Sequence, residues 1–203
     1  MDEATLQAVK FDDLRPTQIT LGFWEVELKR EQWRKDSPQG RKALLSKHTA
    51  PTVIGPKGRH YLIDSHHLAR AVQLEGAKAM TVSVVADLSV LPRESFWIYL
   101  DNLSWCHPYD DRGVRRGFDA IPKSLDDLVD DPFRGLANAL RRAGGFAKDP
   151  APFGEFLWAD FLRRRMKRSL VESDFPNALV EALGLARSKD ANYLPGWCGP
   201  DPA

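Results

Sequence analysis

The stretch that most constrains the fold is Tyr61-Leu62-Ile63-Asp64-Ser65-His66-His67-Leu68-Ala69-Arg70, where a strand runs straight into a helix. His60 to Asp64 has strand character, and Ser65 is a residue type that caps helix N-termini. The helix predicted from His66 to Glu75 carries Leu68, Ala71 and Val72 on one face. Gly76 stands where a helix-ending glycine belongs. Upstream, the β-branched run Pro51 to Ile54 precedes Gly55-Pro56-Lys57-Gly58, a strong turn signal, so the two runs predict a β-hairpin. Downstream, Met80 to Leu88 is the clearest strand in the chain, with four β-branched residues.

Other segments fill in around this unit. Leu14 to Thr20 reads as an extended entry segment, because Pro16 holds Arg15 out of the helical region. Trp24 to Lys35 reads as a charged helix, Ser37 to Gly40 as a break, and Arg41 to His48 as a short helix. The second half is almost wholly helical. Helices are predicted over Arg93 to Ser104, Pro132 to Ala143 and Phe153 to Arg168, with a last one capped by Asp174. Ser124 and Asp127 look like a capping pair for a short acidic helix. The expectation is an α+β protein: a unit with a small mixed sheet over residues 1–90, and a helical subdomain over 91–203 packed on it. At 203 residues the chain has material for one sizeable core or for two such parts.

Composition excludes several classes. With 29 basic and 28 acidic residues the net charge is +1, so any phosphate or nucleic-acid binding must come from a local patch. There is no apolar run long enough for a transmembrane helix. The acidic N-terminus MDEATLQAVKFDDLR does not read as a signal peptide. Cys106 and Cys198 are far apart and lack metal-ligand spacing, so the expectation is two reduced thiols in the cytoplasm.

The histidine turn carries the chemistry. The first turn of a helix offers free backbone N–H groups and the positive end of the dipole. Two imidazoles there, with Arg70 one turn on, suit a phosphate or carboxylate. The competing reading is equally open: Asp64 and Ser65 are caps, and His66 and His67 are packing residues. Zinc is disfavoured, because adjacent histidines on a helix point in different directions. The metal stays unknown.

Asp-Ser-His-His-x-x-Arg after a short strand resembles the phosphate-binding motif of the ParB/sulfiredoxin superfamily. The matching turn is Gly-Cys-His-Arg in sulfiredoxins, Gly-Glu-Arg-Arg in ParB proteins and Asp-Gly-His-His-Arg in free-serine kinases. Here Asp64, His66 and His67 are in register with the kinase version, Ser65 replaces its glycine and Leu68 its arginine. The subgroup called ParB-like, or ParB-like nuclease, is similar over nearly the whole chain. The similarity runs through Leu14-Arg15-Pro16-Thr17-Gln18, Asp131-Pro132-Phe133-Arg134, Gly144-Gly145-Phe146, Glu155 to Asp160 and Leu194-Pro195-Gly196.

The resemblance implies a ParB/sulfiredoxin-like fold and a nucleotide, ATP or ADP with Mg²⁺. It implies phosphate contacts from Ser65, His66, His67 and Arg70. It also implies catalytic carboxylates: a general base in the entry region, Glu25 first and Glu27 second, and Asp64 of the histidine turn. Glu25 and Glu27 read equally as members of a solvated helix. The loop Trp105-Cys106-His107-Pro108-Tyr109-Asp110-Asp111 places His107, Asp110 and Asp111 as candidates for a substrate or a metal. Arg141-Arg142 and Arg163-Arg164-Arg165 with Lys167-Arg168 are the main basic segments. The expected function is phosphoryl transfer from a nucleotide to a small hydroxyl substrate. The alternatives are a ParB-like nuclease or partition-type DNA binder, and a non-enzymatic nucleotide-responsive module. Nucleic acid ranks below a small-molecule partner, and no membrane is expected.

Overall fold

A computed structural model describes residues 5–200, so the first four residues of the acidic N-terminal run lie outside it. It is an α+β protein. In chain order come β1 (Thr5–Lys10), β2 (Leu14–Arg15), β3 (Thr20–Leu21), α1 (Phe23–Lys35), α2 (Pro38–Lys47), β4 (Ala50–Gly55), β5 (Arg59–Leu62), α3 (His66–Leu74), β6 (Ala79–Asp87) and α4 (Arg93–Asn102). Then follow β7 (Val129–Asp130), α5 (Pro132–Arg142), α6 (Gly154–Arg163), α7 (Arg168–Ser173) and α8 (Phe175–Arg187). The chain divides into two compact units. The first comprises residues up to Leu21, Val26–Asp110 and Val114–Val129; the second comprises Gly22–Glu25, Asp111–Gly113 and the chain from Asp130 onward. α4 and the segment after it thus cluster with the sheet, and the first turn of α1 clusters with the later helices.

In the first unit the sheet order is β1-β6-β4-β5-β2, mixed in direction. β1 runs antiparallel to β6, β6 parallel to β4, β4 antiparallel to β5, and β5 parallel to β2. The period-two alternation of strands decides what each face buries. On β5, Leu62 joins Val9, Leu14, Val72, Met80 and Val82 on one side of the sheet. Its neighbours Tyr61 and Ile63 join Val53, Phe96, Trp97 and Ile121 on the other. The predicted hairpin is present as β4 and β5. Its turn requires Lys57 at φ +64° and Gly58 at φ +67°. Gly55 lies under aromatic rings: a Cβ there would sit 2.6 Å from Tyr61 and 2.7 Å from Phe96.

Several local expectations need correcting. The break between α1 and α2 is confined to Asp36 and Ser37, and α2 starts at Pro38 instead of Arg41, since Ser37 Oγ accepts from the Gly40 N–H at 3.1 Å and Pro38 fills the first turn. β1 was not foreseen. Its pairing with β6 places Val9 opposite Met80 in a shared core, a tertiary gain that its weak alternation does not announce. The helix expected over Phe153 to Arg168 ends at Arg163 as α6, and α7 begins only at Arg168. Buried Met166 joins the core between them, and the chain turns there.

The second unit has its own core of Phe133, Leu136, Leu140, Phe146, Trp158, Phe161 and Leu162. Phe146 stacks on Trp158 with ring centroids 4.4 Å apart, and the Trp158 indole N–H donates to the Pro195 carbonyl at 2.8 Å. Asp131 caps α5 by accepting from the Phe133 N–H at 3.1 Å, and Asp174 caps α8 as predicted. No helix is long and apolar enough to cross a membrane among the described residues.

Candidate functional site

The strand-to-helix turn forms as expected, but its internal bonding differs. Ser65 takes the left-handed conformation at φ +67°, and its side chain makes no capping bond. Instead its N–H donates to Asp64 Oδ1 at 2.5 Å. The glycine found here in related turns suits that φ; Ser65 adopts it with the help of the neighbouring carboxylate. Asp64 is exposed, Ser65 and His67 are half-buried, and His66 is buried.

His66 is bound into the fold. Its Nε2 accepts from the Thr17 N–H at 3.2 Å, which puts that ring nitrogen in its unprotonated form. Thr17 is itself buried, and its hydroxyl donates to the Leu62 carbonyl at 2.6 Å. The other side of the same residue is also engaged: the His107 N–H donates to the Thr17 carbonyl at 2.8 Å, and Gln18 and His107 form a parallel bridge. Thr17 therefore joins the histidine turn to the histidine loop. The His107 ring stacks on Tyr109 with centroids 4.4 Å apart. Thr17 and Gln18 carry no obvious chemical signal in the sequence. Their importance follows from bonds of their main-chain groups to segments 49 or more residues away, as in Thr17 N–H to the His66 ring.

Other sequence candidates are committed elsewhere. The Arg70 guanidinium pairs with Asp126 and donates to Gln73 Oε1 at 3.0 Å, so its role as a replacement phosphate cation is not what the geometry displays. Glu25 belongs to the second unit, is buried, and pairs with Arg142, at 2.6 Å for one of its oxygens. Glu27 belongs to the first unit and bonds Arg30 at 2.7 Å and Arg34 at 3.2 Å. Asp110 accepts from the Val114 N–H at 2.9 Å and pairs with Arg116 at 2.6 Å. Asp111, in the second unit, pairs with Arg168 at 2.6 Å. Among the described residues no three His, Cys, Asp or Glu side chains come together as a metal-binding group.

The second unit holds a buried charged network. Asp131 pairs with Arg163, and Arg134 lies 3.7 Å from the centre of the Phe156 ring. Burial pushes the Asp131 carboxyl above the ordinary carboxylate range despite the two arginines. Burial pulls the Arg134 guanidinium down to about 10, against the favourable field of Asp131.

A family model described as "Putative ParB-like nuclease" matches residues 7–164. The chain belongs to this ParB-like nuclease family. The match supports the ParB/sulfiredoxin-like resemblance and the α+β fold. A crystal structure of protein Atu1540 from Agrobacterium tumefaciens superposes on this ParB-like chain with a TM-score of 0.91. The two are 50% identical, and the alignment covers 98% of this chain and 100% of the other. A search of curated proteins gives no match. The family conflicts with the expected main function, phosphoryl transfer to a small hydroxyl substrate, and matches the ParB-like alternative instead. The residues agree with that correction. The glutamate expected as the kinase base is held by Arg142, and the kinase-type arginine is absent at Leu68.

Proposed function

We propose that this ParB-like chain hydrolyses phosphodiester bonds of nucleic acid at the junction of the histidine turn and the His107 loop. The observation that carries the reading is the double use of Thr17. Its N–H holds the His66 ring and its carbonyl holds the His107 backbone, so the two histidine-bearing segments share one anchor. Imidazole is the side chain that exchanges protons near neutrality. Hydrolysis needs one proton taken from the attacking water and one given to the leaving oxygen, as the new P–O bond forms and the old P–O bond breaks. In this reading His67 and His107 perform those transfers. His66, engaged through Nε2, positions the turn, and the N–H groups at the start of α3 favour the phosphate oxygens. Cys106 and Cys198 are both free thiols, which fits a cytoplasmic setting.

The test is cleavage of fluorescent single-stranded and duplex oligonucleotides by the full chain, with Mg²⁺, with Mn²⁺ and with EDTA, each with and without ATP or ADP. Cleavage by the wild type should fall by about 10²-fold or more in His67→Ala and His107→Ala. Full activity in the double variant removes this site, and a wild type that cleaves no substrate under any condition removes the nuclease reading.

A further inference from the structure

Most arginines of the runs that stand out in the sequence are matched by carboxylates in the fold, whereas exposed Arg165 and Lys167 belong to no ion pair among the described residues. Arg141 pairs with Glu155, Arg142 with Glu25, Arg163 with Asp131 and Asp160, Arg164 with Asp160, and Arg168 with Asp111 and Glu172. Guanidinium groups already matched by carboxylates release few counterions when a polyanion approaches, so these helices make a poor nucleic-acid surface.

The first unit presents the opposite case. Its sheet curls, so that the edge strand β1 comes back towards β5, three places away in strand order. The Gln7 Oε1 and the His60 Nε2 meet at 3.0 Å. Between β1, β2 and the β4–β5 turn lies an open cleft of about 660 Å³. Lys10, Arg15, Lys57, Arg59 and His60 line it, and Asp13 is its single lining carboxylate. Lys10, Lys57 and Arg59 are exposed and belong to no ion pair among the described residues. The left-handed backbone at Lys57 and Gly58 sets the tip of the turn that carries Lys57 and Arg59 to the cleft wall.

We propose that this cleft is a binding track for the phosphate backbone of nucleic acid, separate from the histidine turn; as a role in substrate holding it rests on the nuclease reading. Four fixed cations facing one carboxylate concentrate positive potential in a chain whose overall charge is only +1. The lining offers no Phe, Tyr or Trp ring for base stacking and few groups for base edges. Binding there should follow charge and not sequence. If all four cations contact phosphates, the slope of log affinity against log salt is about −0.7 per contact for a single strand, or roughly −3.

The experiment is fluorescence anisotropy with labelled single-stranded and duplex 20-mers of unrelated sequence, between low and physiological salt, using the full chain. The test variant is Lys10→Gln/Lys57→Asn/Arg59→Gln; asparagine tolerates the left-handed backbone at position 57. A control removes three exposed cations away from the cleft, Lys42→Gln/Lys47→Gln/Lys148→Gln, and circular dichroism checks that both variants fold. The proposal expects at least a tenfold loss of affinity and a slope shallower by about 2 in the test variant only. Absence of binding by the wild type, an equal loss in the control, or an unchanged slope in the test variant overturns it. Cleavage is followed in the same samples. Binding lost with no cleavage by the wild type sustains the cleft and sinks the nuclease reading. Wild-type cleavage with binding unchanged in the test variant does the reverse.

Discussion

Replacing Asp131 with Asn isolates the buried charged network of the second unit. Asp131 is 2% exposed and its partner Arg163 is 14% exposed, so little water screens the pair. Asn still accepts from the Phe133 N–H and is as good a helix cap as Asp, so the loss falls on the ion pair and not on α5. Arg163 would then keep only the longer contact to Asp160, at 3.4 Å, and Arg134 would lose the nearest favourable charge. Removing one member of a buried pair costs about 3–5 kcal/mol. The retained Asp160 contact and the burial cost that leaves with the carboxylate charge both offset that figure, leaving about 1–2 kcal/mol, or a fall of roughly 2–8 °C in Tm for a chain of this size. The check is urea unfolding followed by tryptophan fluorescence and circular dichroism, beside Asp131→Asn/Arg163→Met, which should recover most of the loss. pH supplies an independent test. The Asp131 carboxyl has a folded pKa raised above its ordinary 3.8 by burial, so the folded state binds its proton more tightly than the unfolded chain does. Its contribution is therefore most favourable below the unfolded value and declines as pH rises through the folded value. Asp131→Asn should remove that decline on the acidic side. A loss under about 1 kcal/mol at neutral pH, with the acidic slope unchanged, would refute the reasoning.

Two further results are expected. Gly55→Ala places a methyl group 2.6–2.7 Å from the Tyr61 and Phe96 rings, and should cost about 1–3 kcal/mol by overpacking, read as a lower Tm; wild-type stability would mean the rings yield freely. Burial pushes the Cys106 thiol up to about 12, so at pH 8 a thiol reagent should label exposed Cys198 within minutes and Cys106 only on unfolding; fast labelling of two thiols in the native protein would contradict the burial of Cys106.

The parts legible in the sequence are those written in short-range chemistry. The hairpin, the strand entering α3, Gly76 at φ +85° beyond that helix and the cap Asp174 depend on neighbours within a few residues, and all are present. The family was legible as well, because its motifs are short strings. Long-range matters were not. β1 is a strand because Val9 meets Met80, 71 positions away, and α6 ends early because Met166 turns into a core that the helix pattern does not describe. The site divides in the same way. The residue types at 64–67 pointed to the histidine turn, whereas Thr17 grips the His66 ring and the His107 backbone through its own main-chain N–H and C=O, which no side-chain pattern encodes. Charge shows the division most clearly. Counting arginines marked the helices after residue 130 as the basic surface, but a charge acts on a partner only if no carboxylate lies beside it. That pairing is decided by distances of about 3 Å between distant segments, so only the folded chain shows that Lys10, Lys57 and Arg59, unlike most of those arginines, line a cleft with no ion pair among the described residues.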